Sequence, residues 1–240
     1  MTRLALVAVV LSACSFSAMS ADPGAADGGP GTTGDGASFV AGCHIQDPSL
    51  RLCLEFEDPA LSPIVHDGSS FQHNATTQNL AAMPRAGEQA ASFGSSSEAT
   101  IPAAPDFGVH TLSMEAWVQT TSVWSSSWAL LDSQHYGLGI AGGSVVCVIG
   151  DKATSSDATR YSGQWMHIAC TNDGDHLTLY INGDAVDCSS NGDVKGTNDL
   201  GIGVGFTGGL DNVRLFAAAL PAGDICTHAG RTDCTASCAE

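Results

Sequence analysis

Residues 164–188 read QWMHIACTNDGDHLTLYINGDAVDC, and the pattern of this run sets the fold. It divides into three strands, residues 164–171, 176–181 and 184–188, joined by tight turns at Asp173-Gly174 and Asn182-Gly183. Asn-Gly between alternating segments is a strong hairpin signal, because both central positions of a type I′ turn require positive φ. In the middle strand Leu177, Leu179 and Ile181 share one face, and His176, Thr178 and Tyr180 share the other. That is the period of two a strand imposes. The meander therefore has one core face and one face that is wet or only partly covered.

Outward from this run, the same period recurs. Leu112, Met114, Ala116 and Val118 line one face of a strand, with Glu115 and Trp117 opposite, where Trp117 reads as packing rather than a sugar platform. Leu52, Leu54 and Phe56 alternate with Cys53, Glu55 and Glu57 in an opening strand. Shorter strands are predicted at 89–93, 98–101, 128–131, 136–140, 144–149, 201–205 and 210–216, with a helical turn at 221–225 begun by Pro221. The composition agrees. There are 28 Gly, aromatic residues make up 6% and charged residues 14%, a turn-rich chain suited to many short strands. No helical periodicity exceeds two turns.

Three segments carry a resemblance. Trp165, His167, Ile168 and Ala169, then Asp173-Gly174, then Leu179-Tyr180-Ile181-Asn182-Gly183 resemble the signature of laminin G-like (concanavalin A-like) jelly rolls. LSMEAWVQ at 112–119 resembles the family's early strand. GGLDNVRL at 208–215, followed by Ala219-Leu220 and Ile225, resembles its last core strand and closing turn. The resemblance covers about residues 50 to 226. It implies an all-β jelly-roll sandwich of two antiparallel sheets, about a dozen strands, with a short C-terminal helical turn. A fold of this kind hosts many functions.

The N-terminus reads as an address. Arg3 precedes a short apolar run at 4–11, too short to span a bilayer. Leu11-Ser12-Ala13-Cys14 resembles a bacterial lipobox, which implies a signal peptide at 1–13 and lipidation of Cys14. Ordinary secretory cleavage near Ala18-Met19-Ser20 is the alternative. Residues 14–42 then form a linker rich in Gly, Ala and Asp that cannot bury enough apolar area to order itself. As a random coil it reaches roughly 30 Å. The folded domain with its Cys-rich tail is 43–240.

Nine cysteines less Cys14 leave Cys43, Cys53, Cys147, Cys170, Cys188, Cys226, Cys234 and Cys238. An even set in an exported chain points to disulfides. Cys147 and Cys170 fall on consecutive strand segments and could bridge neighbouring strands. Cys226, His228, Cys234 and Cys238 could instead hold zinc, but their spacing is not that of paired Cys-x-x-Cys knuckles.

The formal net charge is −17, from 8 Lys+Arg against 25 Asp+Glu, which excludes the basic footprint of a nucleic-acid binder. Asp211 is the most informative carboxylate. Simple alternation puts it on the side that Val213 and Leu215 bury, so it needs a cation, an Arg or several backbone donors. The resemblance implies a structural calcium ion there, held by Asp211, by Glu57 or its neighbour Asp58, and by the loop from Asp67 to Asn74. A cap on the turn at Gly208-Gly209, or pairing near Arg214, is the alternative for Asp211. Trp124, alone in the polar loop 120–127, is the candidate ligand-stacking residue, unless it folds back over a sheet edge.

An enzyme reading would use Glu55 and Glu57 on one strand face, as a retaining glycosidase pair. They lie in the first strand, without a third acid or surrounding aromatics, and no Gly-x-Ser-x-Gly elbow is present. The expectation is non-catalytic recognition of a glycan or glycoprotein at a bacterial cell envelope. The chain is expected as a monomer, outer-membrane anchored or extracellular, touching the membrane only through its lipid. A structural protein-binding lipoprotein without a sugar site is the second reading.

Overall fold

The structure is a computed structural model that describes residue 43 and residues 47–120, 127–132, 135–194 and 196–237. In chain order the strands are β1 (Leu50–Leu54), β2 (Ile64–Val65), β3 (Ala75–Gln78), β4 (Ala81–Arg85), β5 (Glu88–Phe93) and β6 (Glu98–Ile101). There follow β7 (Leu112–Thr120), β8 (Ser127–Asp132), β9 (Tyr136–Ala141), β10 (Ser144–Ile149) and β11 (Lys152–Asp157). The last are β12 (Trp165–Asn172), β13 (His176–Ile181), β14 (Asp184–Ser190), β15 (Leu200–Val204) and β16 (Gly208–Phe216), before one short helix, α1 (Ala222–His228).

Two eight-stranded antiparallel sheets result. Sheet A runs β14-β13-β12-β7-β16-β5-β4, with β1 also paired to β16. Sheet B runs β11-β10-β9-β8-β15-β6-β3-β2. The meander of β12, β13 and β14 is one flank of sheet A. At its Asn182-Gly183 turn both residues have positive φ, 50° and 84°, as the type I′ geometry demands. The predicted core faces meet between the sheets. Leu112, Met114, Ala116 and Val118 of β7 and Leu177, Leu179 and Ile181 of β13 share one cluster with Leu130, Leu138, Ile140, Val145 and Ile202 of sheet B. Each Leu, Ile, Val or Met among them contributes roughly 1.5–3 kcal/mol by leaving water.

Cys147 on β10 and Cys170 on β12 are joined by a disulfide across this core. The bridge does not join neighbouring strands, a possibility their spacing had left open. β11 intervenes in the chain, and the two strands belong to opposite sheets. A link closing 23 residues stabilises by about 3 kcal/mol in the chain-entropy description. Cys43–Cys53 and Cys226–Cys234 are also bonded. Cys188 is disulfide-bonded too, and Cys238 lies outside the described residues. With Cys226 and Cys234 oxidised, the zinc alternative for the tail loses its thiolates.

The face of sheet A turned away from the core is covered at one end by α1. Ile225 packs on Ala169, Tyr180 and Ala185. The segment after the helix is tied back to β14, where Arg231 pairs with Asp184 at 2.6 Å and Ala185 N–H donates to Thr235 O at 2.9 Å. Beneath α1 lies a charged cluster. Glu115 is 1% exposed. Its Oε1 accepts from Arg214 Nη1 at 2.9 Å, and its Oε2 lies 3.0 Å from His228 Nδ1 and 3.6 Å from His167 Nε2. Arg214 also donates to Asn212 Oδ1 at 2.9 Å. Burial alone would raise the Glu115 carboxyl, but the nearby His167 ring, the hydrogen bond with His228 and the charge of Arg214 hold it well below the usual range. Burial keeps His167 neutral by lowering its pKa against the pull of Glu115.

A carboxyl depressed in the folded state stabilises above its unfolded value and loses that contribution as pH falls through the folded one. Glu115→Gln removes the buried counter-charge of Arg214, so at pH 7 it is expected to cost about 3–5 kcal/mol in urea unfolding. The gap to wild type should narrow only below pH 4.5, the unfolded carboxyl value. A constant gap down to acid pH would contradict the assignment.

Candidate functional site

The residues singled out by sequence fall in different places. Asp211 is on β16, but not on the core side. A bulge separates Asp211 from Arg214 in the pairing with β7, and Asn212 sits at φ 48°. A bulge inserts one residue and flips the register. Leu210, Val213 and Leu215 therefore enter the core while Asp211 turns outward beside Trp117. There Asp211 Oδ2 takes a hydrogen bond from Arg85 Nη1 at 2.7 Å, and Oδ1 accepts from the Asn212 N–H at 2.8 Å. The Arg85 guanidinium lies over the Trp117 ring, 4.1 Å from its centroid, and 5.3 Å from that of Trp165. Such stacking suits a weakly hydrated planar cation. Burial pushes the Asp211 carboxyl up to about 6 against the attraction of Arg85. The partner that Asp211 requires is thus an Arg.

Asp67 is buried and saturated. Its oxygens accept from the N–H groups of Cys53, Ser69 and His73 and from the Ser69 hydroxyl, all between 2.7 and 2.9 Å. Glu57 is exposed and accepts from Gln89 N–H at 2.8 Å. Its neighbour Asp58 holds His66. These acids do not form a shared ligand sphere. Among the described residues the one close trio of possible metal-binding side chains is Cys43, Cys53 and Glu55, and its cysteines are joined as a disulfide. Calcium needs six to eight oxygens with free lone pairs. The oxygens of Asp67 and Asp211 are already engaged by donors, one a guanidinium, so this residue set does not fit the ion.

The paired-carboxylate reading also changes. β1 stops at Leu54 and Phe56 has φ 55°, so Glu55 and Glu57 do not alternate along a strand. Glu55 instead accepts from Cys43 N–H at 2.7 Å. A cleft of about 430 Å³ lies beside the β4–β5 hairpin, lined by Glu57, Met83, Pro84, Glu88 and Gln89, with no aromatic ring in its lining. Burial and the nearby Glu57 raise the Glu88 carboxyl. Cys14 and Trp124 lie outside the described residues.

The outer face of sheet B is built differently. The strand registers trace two rows across it. One row is Ile64, Thr76, Thr100, Gly201, Leu131, Gly137, Val148 and Ala153. The other is Val204, Trp128, Gly139, Val146 and Ser155. No residue in either row is charged. A Cβ on Gly137 would come within 3.1 Å of Trp128 Cε3 and Cζ3 and 2.8 Å of Leu131 Cδ1. The indole and Leu131 therefore lie down over the glycine, and only a residue without a side chain leaves them room. Trp128 is half-buried, while Thr76, Thr100 and Ser155 are exposed. Ile64 and Val204, 45% and 41% exposed, are the exposed large hydrophobic residues among those described, and both lie in these rows. Sequence reading placed 128–131 in a strand but gave Trp128 no role, because its contact with Gly137 depends on a neighbouring strand.

This geometry makes calcium binding testable. Calcium is expected to leave the thermal midpoint unchanged relative to chelator. Asp211→Asn, which leaves Arg85 buried without its counter-charge, is expected to lower stability by about 3–5 kcal/mol with or without calcium. A calcium-dependent rise in midpoint that Asp211→Asn abolishes would restore the metal.

Comparison with known proteins fits the architecture. No curated protein matches the sequence. Among solved structures, the binding domain of Paraclostridial Mosquitocidal Protein 1 superposes with a TM-score of 0.61 at 16% identity, covering 75% of this chain and 52% of that one. The binding domain of botulinum neurotoxin DC, solved in complex with SialylT, gives 0.60 at 13%, covering 75% and 50%. The chain thus spans about half the length of these toxin domains. Domain 4 of AbnA, a GH43 extracellular arabinanase from Geobacillus stearothermophilus, solved with arabinotriose, gives 0.61 at 17%, covering 75% of this chain and 98% of that domain. At such identities the likeness speaks to the fold. Residues 93–226, more than half of the 240, match the laminin G profile of the concanavalin A-like lectin/glucanases superfamily, and the chain belongs to that family.

Proposed function

We propose that this protein is a non-catalytic recognition module that holds a glycan or glycoprotein at a bacterial cell envelope. The observation that carries this reading is the contrast between the two outer faces. That of sheet A is filled by its own ion pairs, Arg85–Asp211 and Glu115–Arg214, and by α1. That of sheet B has no such cover among the described residues, is uncharged along its rows, and carries Trp128 against Gly137. A half-buried aromatic on a strand suits the apolar face of a sugar ring. Support also comes from fold neighbours solved with arabinotriose and with SialylT. Glu55 and Glu57, the carboxylates a hydrolase would use, are occupied in holding backbone N–H groups.

In this reading Cys14 bears the lipid, and residues 14–42 let the domain reach ligands from the envelope surface.

Two experiments test this. The chain screened on a glycan array and on immobilised polysaccharide is expected to bind without releasing reducing ends. Steady release of reducing sugar, lost in Glu57→Gln, would make it a hydrolase. Cys14→Ser is expected to move the protein from the membrane fraction to the soluble exported fraction. Unchanged fractionation would remove the lipid anchor.

A further inference from the structure

Resting on that recognition reading, we infer that the outer face of sheet B takes a neutral saccharide and turns away sialylated and other anionic glycans. The rows define its chemistry. Trp128, Leu131, Val146 and Val148 form an apolar floor that three glycines, Gly137, Gly139 and Gly201, keep low. The exposed hydroxyls of Thr76, Thr100 and Ser155 flank it. Sugar rings present an apolar C–H face and an edge of hydroxyls, and this floor and rim match both. The first row crosses eight strands, about 34 Å at the usual strand spacing, so a linear oligosaccharide can lie across the strands.

Charge decides between classes of sugar. A sialic acid carboxylate is recognised by Arg, Lys or converging N–H donors. Neither row supplies a cation. Next along the face lie Glu98, opposite Gln78, Asp157, opposite Ser144, and Asp199, two residues before Gly201, all acidic, and His135, two before Gly137, is held by Asp132. The chain as a whole carries −17, so an anionic ligand meets repulsion on approach as well as at the face. Arg85, the guanidinium nearest an aromatic pair, is buried on the other sheet and bound to Asp211. A neutral chain of sugars meets none of these costs.

The test is titration calorimetry of the 240-residue chain with arabinotriose, xylotriose, cellotriose and sialyllactose. At least one neutral trisaccharide is expected to bind, and sialyllactose is not. Trp128→Ala is expected to weaken that binding about tenfold, the scale of one lost aromatic stack. In case Trp128→Ala perturbs the fold, Val204→Glu gives a second probe. Its position is 41% exposed, so the fold tolerates it, and it replaces an apolar contact beside Trp128 with a hydrated carboxylate, whose desolvation under a sugar ring should weaken the neutral ligand by a similar factor. Sialyllactose binding as tight as the neutral ligands would overturn the ligand class and leave the recognition reading standing. Neutral binding untouched by both variants would overturn the site. Binding of surface proteins with no trisaccharide bound would overturn the inference and point to a protein partner instead.

Discussion

The central strands of both sheets give alternate residues to a single interior shared by the two sheets, and the rest of the architecture depends on that demand. Leu177, Leu179 and Ile181 on β13, and Val145, Cys147 and Ile149 on β10, enter the same cluster from opposite sides. The Cys147–Cys170 disulfide ties those sides together through the middle. Once the interior holds the sheets, the two outer faces are free to differ. The bulge at Asn212 marks where the constraint is locally released. It lets Leu210, Val213 and Leu215 stay inside while Asp211 turns out to Arg85 on β4, two strands away, and Arg214 to Glu115 on the adjacent β7.

The outer face of sheet A uses that freedom for buried charge. Such pairs are seldom more stabilising than a well-packed apolar core, but breaking one is costly. Their role here is to fix how α1 and β4 sit on the sheet. Glu115 reaches His228 on the helix, and Asp211 reaches Arg85 on the edge strand. The C-terminal segment, clamped by Cys226–Cys234 and by Arg231–Asp184, completes that cover. The outer face of sheet B carries no comparable cover among the described residues, and its uncharged rows are what a ligand would meet.

Much of this was legible in the sequence. Alternation located β13 to the residue, and β7, β10 and β12 to within a residue or so, because each buries one complete apolar face. The strands it did not show are β2, β3, β4 and β11. Three of these lie at sheet edges, where one side of the backbone is unpaired and the apolar pattern is weak. KATSSD in β11 buries only Thr154, and AAMPR in β4 carries a proline. The site was less legible. Asp211 was rightly expected to need a partner, but the bulge that aims it at Arg85 leaves no trace in alternation. Arg85 itself lies 126 residues away in the chain. Trp128 gains its setting from Gly137, across a strand pair that spacing alone does not assign to a face.

The central claim is that the ligand lies on the outer face of sheet B. It is tested most directly by two-dimensional amide NMR of the labelled chain as a neutral trisaccharide is added. The account predicts shifts at the amides of Thr100, Gly137, Gly139 and Val204 and at the Trp128 indole N–H, with the Trp117 indole N–H on sheet A unmoved. Shifts centred on Trp117 and Arg85, with Gly137 and Trp128 unmoved, would contradict it.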